Sequence, residues 1–109
     1  MTVRGHYDIL CPMPKAKLLR HEKLRYDDGA VLEVTLWEVP TPVRGSGHRF
    51  KYSLFYGAGG RRLVGYDNEA GKGDHRHYEG REQAYVFTDF ARLLADFLAD
   101  VAELRGGKL

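Results

Sequence analysis

Apolar and polar positions alternate through much of the chain, and the alternation lays out a sheet before any single residue is considered. In residues 30–39, Leu32, Val34 and Leu36 alternate with Glu33, Thr35 and Trp37, the period of two that gives a strand one apolar face. Asp27-Asp28-Gly29 separates this run from residues 16–26, and an Asp-Gly pair between two such runs predicts a β-hairpin. After a loop marked by Pro40, Pro42, Gly45 and Gly47, residues 49–56 place Phe50, Tyr52, Leu54 and Tyr56 on one face and Lys51, Ser53 and Phe55 on the other. Gly57-Ala58-Gly59-Gly60 turns the chain into residues 61–66, and Tyr85-Val86-Phe87 reads as a short last strand. From Thr88 the period changes: Phe90, Leu93, Leu94, Phe97, Leu98, Val101 and Leu104 follow helical spacing, with Thr88 as the expected cap and Gly106 as the stop. The expected fold is α+β: a twisted antiparallel sheet of about five strands with a C-terminal amphipathic helix packed on one face.

Length limits this to one domain, since 109 residues supply a single core. Residues 1–14, ending in Cys11-Pro12-Met13-Pro14, lack periodicity and read as an arm, leaving residues 15–109 as the domain. The single cysteine excludes an intrachain disulfide. With no leader pattern and no apolar run long enough to span a bilayer, the cytoplasm is the expected compartment.

A net charge of +2 is too mild to imply a polyanionic partner by itself, but the charge is unevenly placed. Residues 41–78 carry seven basic against three acidic side chains, together with His48, His75 and His77. Residues 88–105 carry four acidic against two basic. The first stretch invites anions and the second does not.

Within the basic stretch, Val64-Gly65-Tyr66-Asp67-Asn68-Glu69-Ala70-Gly71-Lys72-Gly73-Asp74-His75-Arg76-His77-Tyr78 is almost wholly polar or ionisable. Three readings stand. A loop of this composition is ordinarily a solvated turn. If residues 74–78 are extended, His75 and His77 share a face and supply two metal ligands, but no motif completes the set and Lys72 and Arg76 stand beside the cation. The third reading is cleavage of an RNA linkage, which brings its own nucleophile in the 2′-hydroxyl. It needs a base, an acid and a cation for the phosphorane, and histidine suits both proton transfers near neutrality; no metal and no cofactor is expected. Elsewhere, His21 reads as structural, His48 as a loop residue near the mouth of the site, and Trp37 as a core or rim aromatic rather than a stacking platform for bases.

The run from Val64 to His77, with Trp37-Glu38-Val39-Pro40, the stretch from Gly45 to Tyr52 and Phe97-Leu98-Ala99-Asp100, resembles the TumE family, toxins of toxin–antitoxin modules. The resemblance spans about residues 15–105. Family members often start near Lys15, so the arm reads as an addition, or the start lies at Met13. The resemblance implies a small α+β domain, ribonuclease-like toxicity and an antitoxin partner, usually a helix-turn-helix protein. It extends to ring nucleases beside type III CRISPR systems, which degrade cyclic oligoadenylate in antiviral defence. Carried over by position, it points to Asp67, Asn68, Lys72, Asp74, His75 and His77, with Lys51 as a cationic neighbour.

The expected catalytic set is therefore His75, His77, Lys72 and Asp74, with Lys51, Arg49, Tyr66, Asp67, Asn68 and Arg76 around the substrate. The leading expectation is a metal-independent ring nuclease for cyclic oligoadenylate. A ribonuclease toxin acting on cellular RNA is the alternative, and a non-catalytic nucleotide-binding module is the third. A pseudo-symmetric ring would suit a homodimer with both basic loops at one cleft, and strand aromatics in excess of what one helix buries would supply its interface.

Overall fold

The computed structural model describes residues 15–69, 71–107 and 109; the expected arm, residues 1–14, lies outside them. The sheet has six strands in sequential antiparallel order. They are β1 (Lys17–Arg25), β2 (Val31–Glu38), β3 (Phe50–Ala58), β4 (Arg61–Asp67), β5 (His75–Tyr78) and β6 (Arg81–Ala84), followed by helix α1 (Phe90–Leu104). The fold class is α+β as expected.

The first hairpin forms where the Asp-Gly pair places it. Gly29 takes φ +92°, Tyr26 N–H donates to the Ala30 carbonyl at 2.8 Å, and Asp28 Oδ1 accepts from Ala30 N–H at 3.0 Å. The last hairpin was not expected. Residues 85–87 form no strand; β5 and β6 stand in their place, joined through Glu79 at φ +46° and Gly80 at φ +86°. Two consecutive left-handed residues make the tight turn whose twist suits a hairpin, but glutamate at the first of them gives no turn signal in the sequence. Phe87 instead folds back onto the sheet, its ring 3.9 Å from that of His48 and 5.7 Å from that of Tyr52.

Helix α1 packs across β3 and β4, burying Leu93, Phe97 and Val101 against Leu54, Val64 and Tyr66. Its N-cap is Asp89, whose carboxylate accepts from Arg92 N–H at 2.8 Å, rather than Thr88 one residue earlier. The acidic residues of the helix each accept hydrogen bonds from outside it. Asp100 accepts from Arg76 Nε and Nη2 at 2.8 and 2.9 Å and from the Tyr66 hydroxyl at 2.6 Å, while Asp96 and Glu103 accept from the hydroxyls of Tyr85 and Tyr78. Arg105, just past the helix, donates to Tyr56 at 2.8 Å.

These contacts account for three of the strand aromatics on which the homodimer expectation rests. Tyr52, Tyr56 and Tyr66 are 3%, 4% and 2% exposed within a single copy, because each ring lies in the core and each hydroxyl reaches an ionised partner at its margin.

Candidate functional site

Alternation along β4 and β5 divides the polar signature between the two faces of the sheet. Side chains with the parity of Leu54 and Tyr66 face α1; those with the parity of Ser53 and Asp67 face away from it. Tyr66, Asn68, Asp74 and Arg76 fall on the helix side, and Asp67, His75 and His77 on the open side.

The helix-side group is built into the fold. Tyr66 and Arg76 are tied to Asp100, as described above. Asn68, 1% exposed, accepts from Tyr52 N–H at 3.0 Å and donates to the Phe50 carbonyl at 2.7 Å and to Ser46 Oγ at 3.2 Å. Asp74 accepts from the Tyr52 hydroxyl at 2.6 Å, from Ser46 Oγ at 2.7 Å and from His48 Nε2 at 2.7 Å. Burial alone would raise the Asp74 carboxyl, but these three donors hold it below the usual carboxylate range. The hydrogen on His48 Nε2 is required by its other nitrogen, since Nδ1 accepts from Phe50 N–H at 3.1 Å. Gly45 and Gly73 let the two loops touch: a Cβ at Gly45 would stand 2.7 Å from Gly73 N. The group thus pins residues 43–48 to the segment that leads into β5.

On the open face, the register sets Ser53, Asp67 and His75 side by side in one row, and Phe55, Gly65, His77 and Glu82 in the next. The imidazoles of His75 and His77 lie 6.5 Å apart and nearly parallel, at 27°. Arg62 Nη2 lies 3.0 Å from His77 Nδ1, and because a guanidinium only donates, that nitrogen is the acceptor. His77 Nε2 then carries the hydrogen and faces Asp67 and Glu82 oxygens at 3.7 and 3.5 Å. Burial and the Arg62 charge push the His77 imidazole below its ordinary value, against the opposing pull of Asp67 and Glu82. His75 has the opposite tautomer: its Nδ1 donates to the Gly73 carbonyl at 2.9 Å, leaving the Nε2 lone pair for other work. Beside the pair, Lys51, Ser53, Arg62, Asp67 and Glu69 line a depression of about 330 Å³.

Of the expected residues, His75, His77, Asp67 and Lys51 share this face. Lys72 is exposed in the turn before β5, with its backbone N–H bonded to the Glu69 carbonyl at 3.2 Å, and Arg49 lines a separate depression at the sheet's end. Arg62, Ser53 and Glu82 complete the open-face group and were absent from the expectation. The parity of Ser53 with Lys51 was legible; the placement of Arg62 depends on the register shift between Tyr56 and Gly57, which no local pattern announces. His48, read as a loop residue, is a fixed partner of Asp74. Among the described residues, no group of three or more His, Cys, Asp or Glu side chains is disposed to hold a metal ion, and no helix is long and apolar enough to cross a membrane.

Fold and site together define a small α+β protein whose helix covers the centre of one sheet face while the other face presents imidazoles and cations. The chain belongs to the TumE toxin family, whose sequence profile, described as Toxin TumE, matches residues 15–105. That span covers the whole sheet and α1. No curated protein and no solved structure matches it significantly.

Proposed function

We propose that this protein is the toxin of a toxin–antitoxin pair and acts by cleaving RNA through attack of the 2′-hydroxyl, using the open face of the sheet. The carrying observation is the pair of imidazoles with opposite tautomers, 6.5 Å apart beside Arg62 and Lys51. His75 is the base: its free Nε2 takes the 2′-hydroxyl proton, and the oxygen bonds to phosphorus. Lys51 and Arg62 offset the charge on the phosphorane. His77 is the acid. A phosphate in the depression draws the Arg62 guanidinium to itself, releasing Nδ1 to take up a proton, and the imidazolium gives its Nε2 proton to the departing 5′-oxygen as that bond to phosphorus breaks. A depressed pKa makes this imidazolium the stronger acid. The product carries a 2′,3′-cyclic phosphate.

Family membership supports the toxin role and, with it, an antitoxin partner; it favours cellular RNA over a cyclic oligoadenylate messenger. The test incubates purified protein in EDTA with a structured RNA and, separately, with cyclic oligoadenylates, and maps product ends. Cleaved RNA with 2′,3′-cyclic phosphate ends is the expected result. Cleavage confined to the cyclic oligoadenylates would return the reading to a ring nuclease, and 5′-phosphate products would overturn the 2′-hydroxyl mechanism.

A further inference from the structure

Lys51 belongs to a longer surface than the imidazole pair requires. Directly across the strands from it lies Trp37 on β2, itself opposite Leu18 on β1. Trp37 has the open-face parity, is half-buried, and its indole stacks on no ring of a described residue. Beyond it, where β1, β2 and β3 end together, Lys15, Lys17, Glu38, Val39, Pro40 and Arg49 line a second depression of about 330 Å³. At this end Lys17 lies opposite Glu38 on the α1 side of the sheet, and Arg49 has the open-face parity of Lys51. Lys17, Arg49 and Lys51 are exposed, and among the described residues none of the three has an ion-pair partner for its side chain.

The spacing of these groups suits a polymer. Arg49, one residue before β3, and Lys51 on it are two residues apart, at most about 7 Å along the backbone, within the step between successive phosphates of a stretched single strand. Trp37 sits beside that step, half-buried and with the open-face parity of Lys51. An indole beside two cationic positions is the arrangement that holds single strands, a base stacking on the ring while phosphates lie on the cations. A duplex keeps its bases stacked on one another and cannot offer one to Trp37.

We propose that the open face is a binding track for single-stranded RNA. One phosphate sits at Lys51 and Arg62, the next at Arg49, and a base stacks on Trp37 beside them. The proposal deepens the reading of His75 and His77 as the cleavage site and rests on it: the track fixes the substrate class as a single-stranded polymer extending past the scissile linkage toward β1.

Trp37 is the sole tryptophan of the chain, so its fluorescence reports on the track directly. The probe is a short single-stranded 2′-O-methyl oligonucleotide, which lacks the attacking hydroxyl and therefore measures binding apart from cleavage. It should quench Trp37, with an affinity that falls with salt at a slope of about −0.7 for each phosphate held. Arg49→Ala, which keeps the tryptophan and alters only an exposed side chain, should weaken binding by about threefold and flatten the slope by about 0.7. The same sequence as a duplex should leave the fluorescence unchanged. Quenching with no cleavage of natural RNA would uphold the track and remove the nuclease reading. Cleavage of RNA with no quenching by the single strand, or equal quenching by the duplex, would overturn the track and leave the nuclease reading standing.

Discussion

Arg62 reaches Nδ1 of His77 because Gly65 has no side chain. The arginine lies over the glycine, and a Cβ at position 65 would stand 2.7 Å from Arg62 Cδ. Gly65 and His77 face each other directly across β4 and β5, so the same missing side chain that lets the arginine cross also leaves the imidazole open to it. Gly65 is not at a positive φ; its requirement is for space.

Gly65→Ala tests that requirement. The alanine is compatible with the backbone and its obstacle is a flexible, partly exposed side chain, so stability should change by less than about 1 kcal/mol. Arg62 should be held away from His77 and from the phosphate position beside it, and RNA cleavage should fall by about tenfold or more. Urea denaturation alongside the cleavage assay separates the two effects. A variant as active as the parent would show that the Arg62–His77 contact does not matter.

The charge of Arg62 also sets how His77 titrates. His77 is depressed by burial first and by Arg62 second, so Arg62→Met should move its imidazole back up toward the ordinary value of about 6.5. The sign for stability follows from the lowered folded-state value. Below about pH 6.5 the unfolded chain binds a proton that the folded chain resists, so the neutral imidazole's contribution is intact above that pH and is lost as pH falls through the folded value. Ring proton shifts of His77 followed by NMR against pH, in parent and variant, should show the upward displacement; a titration unmoved by the substitution would deny the coupling.

His75→Ala and His77→Ala should each lower cleavage by about two to four orders of magnitude, the scale of one proton-transfer group. Both side chains lie on the face that α1 does not cover, so far-ultraviolet circular dichroism should be unchanged. Two variants with rates near the parent's would take the chemistry away from this face.

The residue pattern made some of this architecture legible and concealed the rest for identifiable reasons. The Asp-Gly turn, the alternation of Leu32, Val34 and Leu36, and the helical spacing from Phe90 to Leu104 are local signals, and each formed as read. The β5–β6 hairpin was hidden because Glu79 occupies a left-handed position that sequence ordinarily marks with glycine or asparagine. The signature from Tyr66 to His77 is contiguous along the chain but does not form one site in space. On strands, neighbours in sequence face opposite ways, so Asp67, His75 and His77 separated from Tyr66, Asn68, Asp74 and Arg76. The acidic bias of residues 88–105 was visible, but its use in receiving tyrosine hydroxyls and Arg76 depends on where the helix docks.

Asp74 shows how such a residue can matter to activity through the fold. Asp74→Ala would leave Tyr52 and His48 without their acceptor in a site where the carboxylate is 8% exposed, and should cost about 3 kcal/mol. Because the folded carboxyl is held below its unfolded value, its contribution is complete above about pH 4 and is lost as pH falls through the folded value. Denaturation midpoints measured from neutral to acid pH should therefore converge for parent and variant at the acid end. A gap that persisted unchanged through the whole range would mean that the charge of Asp74 is not the stabilising element.

Arg76 and Asp100 provide the corresponding test on the helix side. The guanidinium meets the carboxylate through two nitrogens and the Tyr66 hydroxyl joins them, with Arg76 and Asp100 side chains 25% and 14% exposed. The Asp100 bonds raise the arginine further above its already high value, outweighing its burial. Partial solvent access reduces what such a pair contributes, so Arg76→Met alone should cost about 2 kcal/mol, largely because Asp100 is left with a partly buried charge and two donors fewer. Removing both charges in Arg76→Met with Asp100→Leu relieves that burden, and the double variant should be less destabilised than the sum of the two single changes by about 1 to 3 kcal/mol. Urea denaturation of the four proteins gives the coupling directly. Additive losses would mean that Arg76 does not staple α1 to β5, and would free its guanidinium to be reconsidered as a contact for RNA.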